Sequence, residues 1–259
     1  MKYIKSIIVS LVLMVFSVSS YSQCSEDNQA FKSGEFLSYN LYYNWKFIWV
    51  KAGTASMSTV ETTYHGFKAL RTSLTTRSNG KLDDIFILRD TLLAYSTIDM
   101  APLYYRKGAR EGKWYTVDEA FYSYPNGNPQ VKLHRQKNDG THDWETKNLD
   151  DCVFDMVNIF QRARSFDPAN WRKGHEVKFD ITDGTKILKA KLKFSGRETV
   201  KGDNGKKYDC LKLSYIENSK GYDKEVACFF VTNDSRHIPV RLDMFLRFGS
   251  AKAFLTNIK

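Results

Sequence analysis

One stretch constrains this chain more than any other. Asp150 to Phe166, DDCVFDMVNIFQRARSF, is the one segment with clear helical periodicity in a sequence that otherwise reads as strand and turn. Val153, Met156, Val157, Phe160 and Ala163 fall at i, i+3, i+4, i+7 and i+10, a single apolar stripe. Asp155, Asn158, Gln161, Arg162 and Ser165 fall off it, on the face that the pattern assigns to solvent. Asp150 and Asp151 suit the N-terminal end, where carboxylates meet free amides and the positive end of the helix dipole. Arg162 and Arg164 suit the C-terminal end. Pro168 disfavours helical backbone at Asp167 and so stops the helix. At about 1.5 Å per residue the segment spans roughly 24 Å. A one-sided helix must bury its stripe, and with no second clear helix the partner has to be a sheet.

The strands are legible from alternation. Leu37, Tyr39, Leu41, Tyr43 and Trp45 alternate with polar residues. Ile48 to Val60 follows, with Gly53 and Ala55 permitting close backbone approach or a bulge. Ile187 to Lys201 sets Leu188, Ala190, Leu192 and Phe194 against Lys189, Lys191 and Lys193. Turn signals recur at Pro125-Asn126-Gly127-Asn128, Asn138-Asp139-Gly140, Asp183-Gly184 and Asp203-Asn204-Gly205. Roughly fourteen strands joined by short turns imply mainly antiparallel pairing, and an open sheet of that size tends to curl or split. The predicted fold is therefore mainly β: a strongly curved antiparallel sheet, or incomplete β-barrel, with one amphipathic helix packed on it. Residues 23–259 read as one β-rich domain, with a weak division near 144–151.

The N-terminus predicts export. Met1 to Lys5 is basic, Ile7 to Val18 is almost wholly apolar, and Ser20 and Ser22 stand at −3 and −1 of a cut before Gln23, so residues 1–22 read as a secretory signal peptide. The apolar run is too short for a stable membrane span, and no later stretch approaches one. Cys24 raises lipidation, but Gln23 is not the small residue that a lipoprotein signal places before its cysteine, so ordinary cleavage is the reading. The formal charge of +10 suits an anionic surface, yet lysines scattered over strand faces also account for it. The predicted location is periplasmic or associated with the cell envelope. In such a compartment four cysteines permit two disulfides. Cys210 and Cys228 are equidistant from Ser219 and are expected to face each other across a hairpin, leaving Cys24 and Cys152 to tie the mature N-terminus to the helix start. Four free buried thiols remain the alternative.

Catalytic patterns are missing. The sequence has no G-x-S-x-G, phosphate loop, G-x-G-x-x-G, H-E-x-x-H or C-x-x-C. No catalytic residue, cofactor or metal is assigned. His134 and His142 are symmetric about Asn138, with Asp139 and Asp143 nearby, a donor set able to bind zinc, although surface hairpins carry such pairs by chance. Asp83, Asp84 and Asp90 flank a strand, where they read as turn and edge chemistry rather than an acid–base pair. Trp45, Phe47, Ile48 and Trp49 form an aromatic cluster between the first two strands. It fits a membrane-contacting tip, a ligand-gripping edge or plain strand packing.

Gly34-Glu35-x-Leu37-x-Tyr39 leading to Ala52-Gly53-x-Ala55 resembles the start of a bacterial exported family known as domain of unknown function 3108. Asp155 to Arg164 resembles that family's segment ending in an arginine. Phe194 to Val200, Cys210 to Leu213, and Phe230 to Leu242 with Asp234 before Arg236-His237-Ile238-Pro239-Val240 resemble its later strands. The resemblance runs from about Gly34 to Ile258 and implies an envelope location and a β-rich fold. It supplies no catalytic residues.

These observations point to a non-enzymatic envelope protein that binds a lipid or other hydrophobic ligand in a groove of the curved sheet. Val153, Met156, Val157, Phe160, Trp45 and Trp49 are the candidate lining residues. The alternative is an interaction module that docks a protein partner through a strand edge or basic face. A hydrolase acting on envelope polymer is the third reading, with no residues to nominate. Nucleic acid is excluded as a partner by the export signal.

Overall fold

The computed structural model describes residues 24–45, 48–83, 87–219, 221–246 and 249–259. The expected signal segment lies outside the described residues, as do Phe47, Asp84 and the side chain of Trp45.

Fifteen strands form one sheet: β1 (Glu35–Trp45), β2 (Ile48–Tyr64), β3 (Phe67–Ser78), β4 (Leu88–Ser96), β5 (Pro102–Glu111), β6 (Trp114–Ser123), β7 (Gln130–Gln136), β8 (His142–Asn148), β9 (Val153–Phe154), β10 (Glu176–Asp183), β11 (Lys186–Lys201), β12 (Lys207–Ser219), β13 (Tyr222–Thr232), β14 (Pro239–Phe245) and β15 (Ser250–Ile258). Their order is β8-β7-β6-β5-β4-β3-β2-β1-β15-β14-β13-β12-β11-β10-β9. Each neighbour in the sheet is a neighbour in sequence, except where β1 pairs with β15 and so joins the two ends of the chain. Pairing is antiparallel everywhere but at β9–β10. The sheet is curved but not closed; β8 and β9 are its two edges. Between β8 and β9 the chain leaves one edge of the sheet and enters the other.

The expected alternation places the core. On β11, Ala190, Leu192 and Phe194 are buried while the intervening Lys191 and Lys193 are half-buried. At Gly53 an added Cβ would lie 2.0 Å from the Arg77 carbonyl oxygen, so β2 crosses β3 too closely there for any other residue.

The helix is shorter than its sequence pattern, Met156–Arg164. Val153 and Phe154 pair with Asp180 and Ile181 as β9 instead of joining it. Asp155, rather than Asp150 or Asp151, caps the helix, accepting from the amides of Val157 at 3.0 Å and Asn158 at 2.9 Å. The sheet wraps around this helix. Val157 packs with Leu92, Ala94, Ala120, Val131 and Leu133 from β4, β6 and β7. Ile159 packs with Leu192, Leu211 and Val231 from β11 to β13. Phe160 lies against the cluster built on Leu37, Met57, Phe230 and Leu255 from β1, β2, β13 and β15. Three separate directions around the helix thus end on sheet.

Candidate functional site

Because the sheet surrounds the helix, its polar side is buried too. Asp155, Asn158, Gln161 and Arg164, spaced at i+3, are all between 0% and 5% exposed. A buried polar group needs a partner, and each finds one. Tyr122 of β6 donates to the Asp155 carboxylate at 3.2 Å, and the Asn158 amide donates to the same oxygen. Gln161 Nε2 donates to Thr59 at 2.7 Å and Thr72 at 3.2 Å, on β2 and β3. Its Oε1 accepts from Arg164 at 3.2 Å. Arg164 completes the ladder with a two-pronged ion pair to Glu35 of β1, at 2.7 and 3.1 Å. Its guanidinium also donates to the Arg236 carbonyl at 3.1 Å and stacks 5.2 Å from the Phe31 ring centre, while His237 contacts its backbone carbonyl. Burial pushes the Asp155 carboxyl up to about 6, against the pull of its amide and hydroxyl donors, and raises the Tyr122 hydroxyl well above its ordinary value.

Beside the ladder lies open space. A cleft of about 950 Å³ opens next to the Ile159 contact, lined by Ile159 and Arg162 of the helix and by residues of β10–β13. Phe154, Ile159, Phe166, Phe179 and Ile216 give it apolar walls. Its rim is charged but balanced. Arg162 pairs with Glu26 at 2.9 Å, Lys189 with Asp180 at 2.7 Å, and Lys191 with Glu176 at 3.0 Å and Asp223 at 2.8 Å. Cys152 lies in the wall and is bonded to Cys24, fixing the start of the described chain at the mouth. Arg162 reinforces that attachment, donating to the Cys24 carbonyl at 2.9 Å.

The sequence-derived lining residues lie elsewhere. Val153 and Val157 are sealed into the β4–β7 cluster, and Phe160 packs on Phe229 with ring centres 5.3 Å apart. Met156 is 51% exposed, and Trp49 is exposed at the start of β2. None of these five lines the cleft. The stripe holds both sealed residues and the exposed Met156; the cleft is lined instead by Phe154 and Ile159, which lie beside it. The spacing Asp155-Asn158-Gln161-Arg164 was the readable signal for the buried ladder.

Cys210 and Cys228 do not face each other. Cys210 is opposite Thr232 and Cys228 opposite Ser214, because the β12–β13 turn falls between Ser219 and Tyr222 rather than on Ser219. Both thiols are free and buried, and burial pushes each up to about 12. His134 and His142 do meet, with ring nitrogens 2.7 Å apart, and His134 contacts Glu119 on its other nitrogen at 2.7 Å. Asp139 and Asp143 turn away, to Thr141 and Lys137. Among the described residues no group of three or more His, Cys, Asp or Glu is placed to hold a metal. Asp83 pairs with Arg89, whereas Asp90 stands on β4 opposite Ala109, so these two form no acid–base pair. Among the described residues no helix is long and apolar enough to cross a membrane.

An open, barrel-like sheet wound around one polar-sided helix, with a cleft beside that helix, defines the class. The chain belongs to the family described as "Protein of unknown function (DUF3108)", which it matches over residues 38–256. Comparison with curated proteins finds no match. Among solved structures, a beta-barrel-like protein of the domain of unknown function DUF1849 from Brucella abortus is 10% identical, with 88% of this chain and 97% of that chain covered and a TM-score of 0.53. That likeness shows the fold. A protein from Bacteroides fragilis whose description reads exported, with a YmcC-like fold, is also 10% identical over 91% of this chain and 100% of its own, with a TM-score of 0.37. The segments that carry the family resemblance in sequence converge in space: Glu35, Arg164, Arg236 and His237 meet at the C-terminal end of the helix.

Proposed function

We propose that this is an exported, non-enzymatic envelope protein that holds a lipid or other hydrophobic ligand in the cleft between the helix and β10–β13. The observation that carries the reading is the cleft itself: Phe154, Ile159 and Phe179 line a space of about 950 Å³, within the range of small-ligand sites. The evenly paired rim favours an amphiphile whose polar end is neutral or zwitterionic over one with a bare anionic head. Export is supported by the signal-like N-terminus and by the bridge between Cys24 and Cys152, since disulfides persist in oxidising compartments.

The test is native mass spectrometry of protein purified from an envelope fraction, followed by titration of the delipidated protein with a fluorescent fatty acid. A bound apolar molecule is expected, and Phe179→Trp, which fills the cleft, should weaken probe binding at least tenfold. Protein that carries no ligand and ignores the probe overturns the reading.

A second reading, docking of a protein partner, is favoured by β8. That edge strand has no neighbour beyond it and exposes most of its residues, Trp144 among them, which suits addition of a partner's strand.

A further inference from the structure

Two hairpin ends lie side by side, and together they expose apolar surface that the fold does not use. Asn44 of β1 is opposite Trp49 of β2 on one flank and Ser250 of β15 on the other, and Ser250 is opposite Phe245 of β14. Trp49 and Phe245 therefore project from the same face, three strand spacings, or about 14 Å, apart. Ile48 is 68% exposed, Leu246 48%, Trp49 and Phe245 43% each, and Val50 40%. Such a concentration of large apolar side chains at one end of a sheet marks a binding surface.

The two ends are locked together. Gly249 has φ 76°, and a Cβ there would sit 2.2 Å from the Asn44 carbonyl oxygen. The β14–β15 turn thus rests directly on β1, and the surface is one body rather than two independent loops.

Its charge is mainly positive. No aspartate or glutamate occurs from Phe36 to Val60 or from Met244 to Lys259, and Lys51 and Lys252 flank the apolar row. Asp243, opposite Lys252 on β14 and 3.9 Å from its ammonium, is bonded to Arg241. The Lys252 ammonium stands 4.7 Å from the centre of the Trp49 ring. Tryptophan beside lysine, with aliphatic residues projecting beyond them, suits the boundary between headgroups and acyl chains. We infer that these paired hairpin ends dock on an anionic phospholipid bilayer, Ile48, Trp49 and Leu246 entering the interface while Lys51 and Lys252 meet lipid phosphates. The inference stands independently of any ligand in the cleft.

The test uses the chain from Gln23 onward, which contains every described residue, with vesicles of phosphatidylcholine alone or mixed with phosphatidylglycerol. Sedimentation with the mixed vesicles is expected, weakening as salt screens the lysines. Ile48→Asp and Trp49→Ser should each reduce binding roughly tenfold or more, the loss of one buried apolar side chain. Phe67→Asp, on the hairpin at the far end of β2, should leave it unchanged, and unaltered thermal melting would show that the variants fold. Brominated lipid should quench the wild type more than Trp49→Phe. Three results overturn the inference: no binding to mixed vesicles, binding that ignores both tip substitutions, or a dimer abolished by Ile48→Asp without vesicle binding, which would make this face a contact between copies.

Discussion

The two long sides of the helix are both enclosed by the same sheet, yet they meet it differently. Along the polar ladder Asp155, Gln161 and Arg164 are each tied to a strand by hydrogen bonds or an ion pair, and Asn158 is held through Asp155. Along Ile159 and Arg162, with Phe154 of β9 before the helix and Phe166 after it, the segment borders a cleft, and the polar ties are confined to the rim. The difference teaches how an open sheet can hold a fixed helix and an adaptable space at once. Directional polar contacts position the helix from one side, so the other side need not be packed solid. A core sealed all round by apolar contacts would position the helix equally well and leave no room for a ligand.

The strongest way to break this contrast is to cut the one covalent tie on the cleft side. Cys24 and Cys152 are separated by 128 residues. Closing so long a loop removes enough chain entropy from the unfolded state to stabilise by roughly 5 kcal/mol in the loop-closure model. Reduction, or the double substitution Cys24→Ser with Cys152→Ser, should lower the unfolding free energy by that order in urea titrations. It should also loosen the cleft mouth, seen as faster amide exchange around Arg162 while Gln161 and Arg164 stay protected. A change below about 1 kcal/mol would show that noncovalent contacts hold the N-terminal segment, and the asymmetry would lose its covalent half.

On the ladder side the heaviest contact is Arg164 with Glu35, whose side chains are 1% and 4% exposed. Removing Glu35 leaves Arg164 charged, buried and without its carboxylate, and removing Arg164 leaves the buried Glu35 with only the longer, half-exposed contact to Arg236 at 3.4 Å. Arg164→Met should therefore cost about 3–5 kcal/mol, and Glu35→Leu a similar amount. Combining them removes both charges, so the double variant should be more stable than either single one. Additive losses would mean that the ion pair is not the unit that positions the helix C-terminus; Arg164 would then act mainly through the Arg236 carbonyl and the Phe31 ring.

Much of the architecture was legible. Alternation and turn residues located the strands, and the meander follows from short connections. The segment around residues 155–164 stood out because no other stretch repeats at helical period. The closure of β1 on β15 was not legible, since nothing local links residues so distant in sequence. Nor was the true orientation of the helix. Hydrophobic periodicity assumes that the polar face is the one in water, whereas on this helix the exposed residue is Met156, a member of the apolar stripe. Gln161 was read as solvent-facing because its partners, Thr59 and Thr72, lie about a hundred residues away in sequence, and Asn158, which donates to Asp155, because nothing local shows that sheet covers that face. Cys210 and Cys228 were misplaced for a smaller reason: a turn two residues later than expected shifts the whole register.

The smallest expected effect tests the head of the ladder through pH. Burial raises the Asp155 carboxyl to about 6, whereas an unfolded aspartate titrates near 3.9. Between those values the folded state binds more protons than the unfolded state, so this group's contribution to stability falls as pH rises. The contribution is fully present below about pH 4 and is lost as pH passes through 6. Burial likewise raises Asp90 to about 6, with Lys107 opposing and Glu111 reinforcing the shift, so the wild-type curve contains both groups. Asp155→Asn keeps the shape and a capping oxygen but cannot titrate. Subtracting its stability from the wild type's, measured by urea unfolding at intervals from pH 4 to pH 8, isolates the Asp155 share. That difference should fall between pH 4 and pH 6 and stay level above pH 7, while the same subtraction for Asp90→Asn reports β4 alone. A difference that rises with pH would mean the four donors around Asp155 outweigh its burial. The helix would then be fastened by a charged cap, and the ladder would weaken in acid where the present geometry has it strengthen.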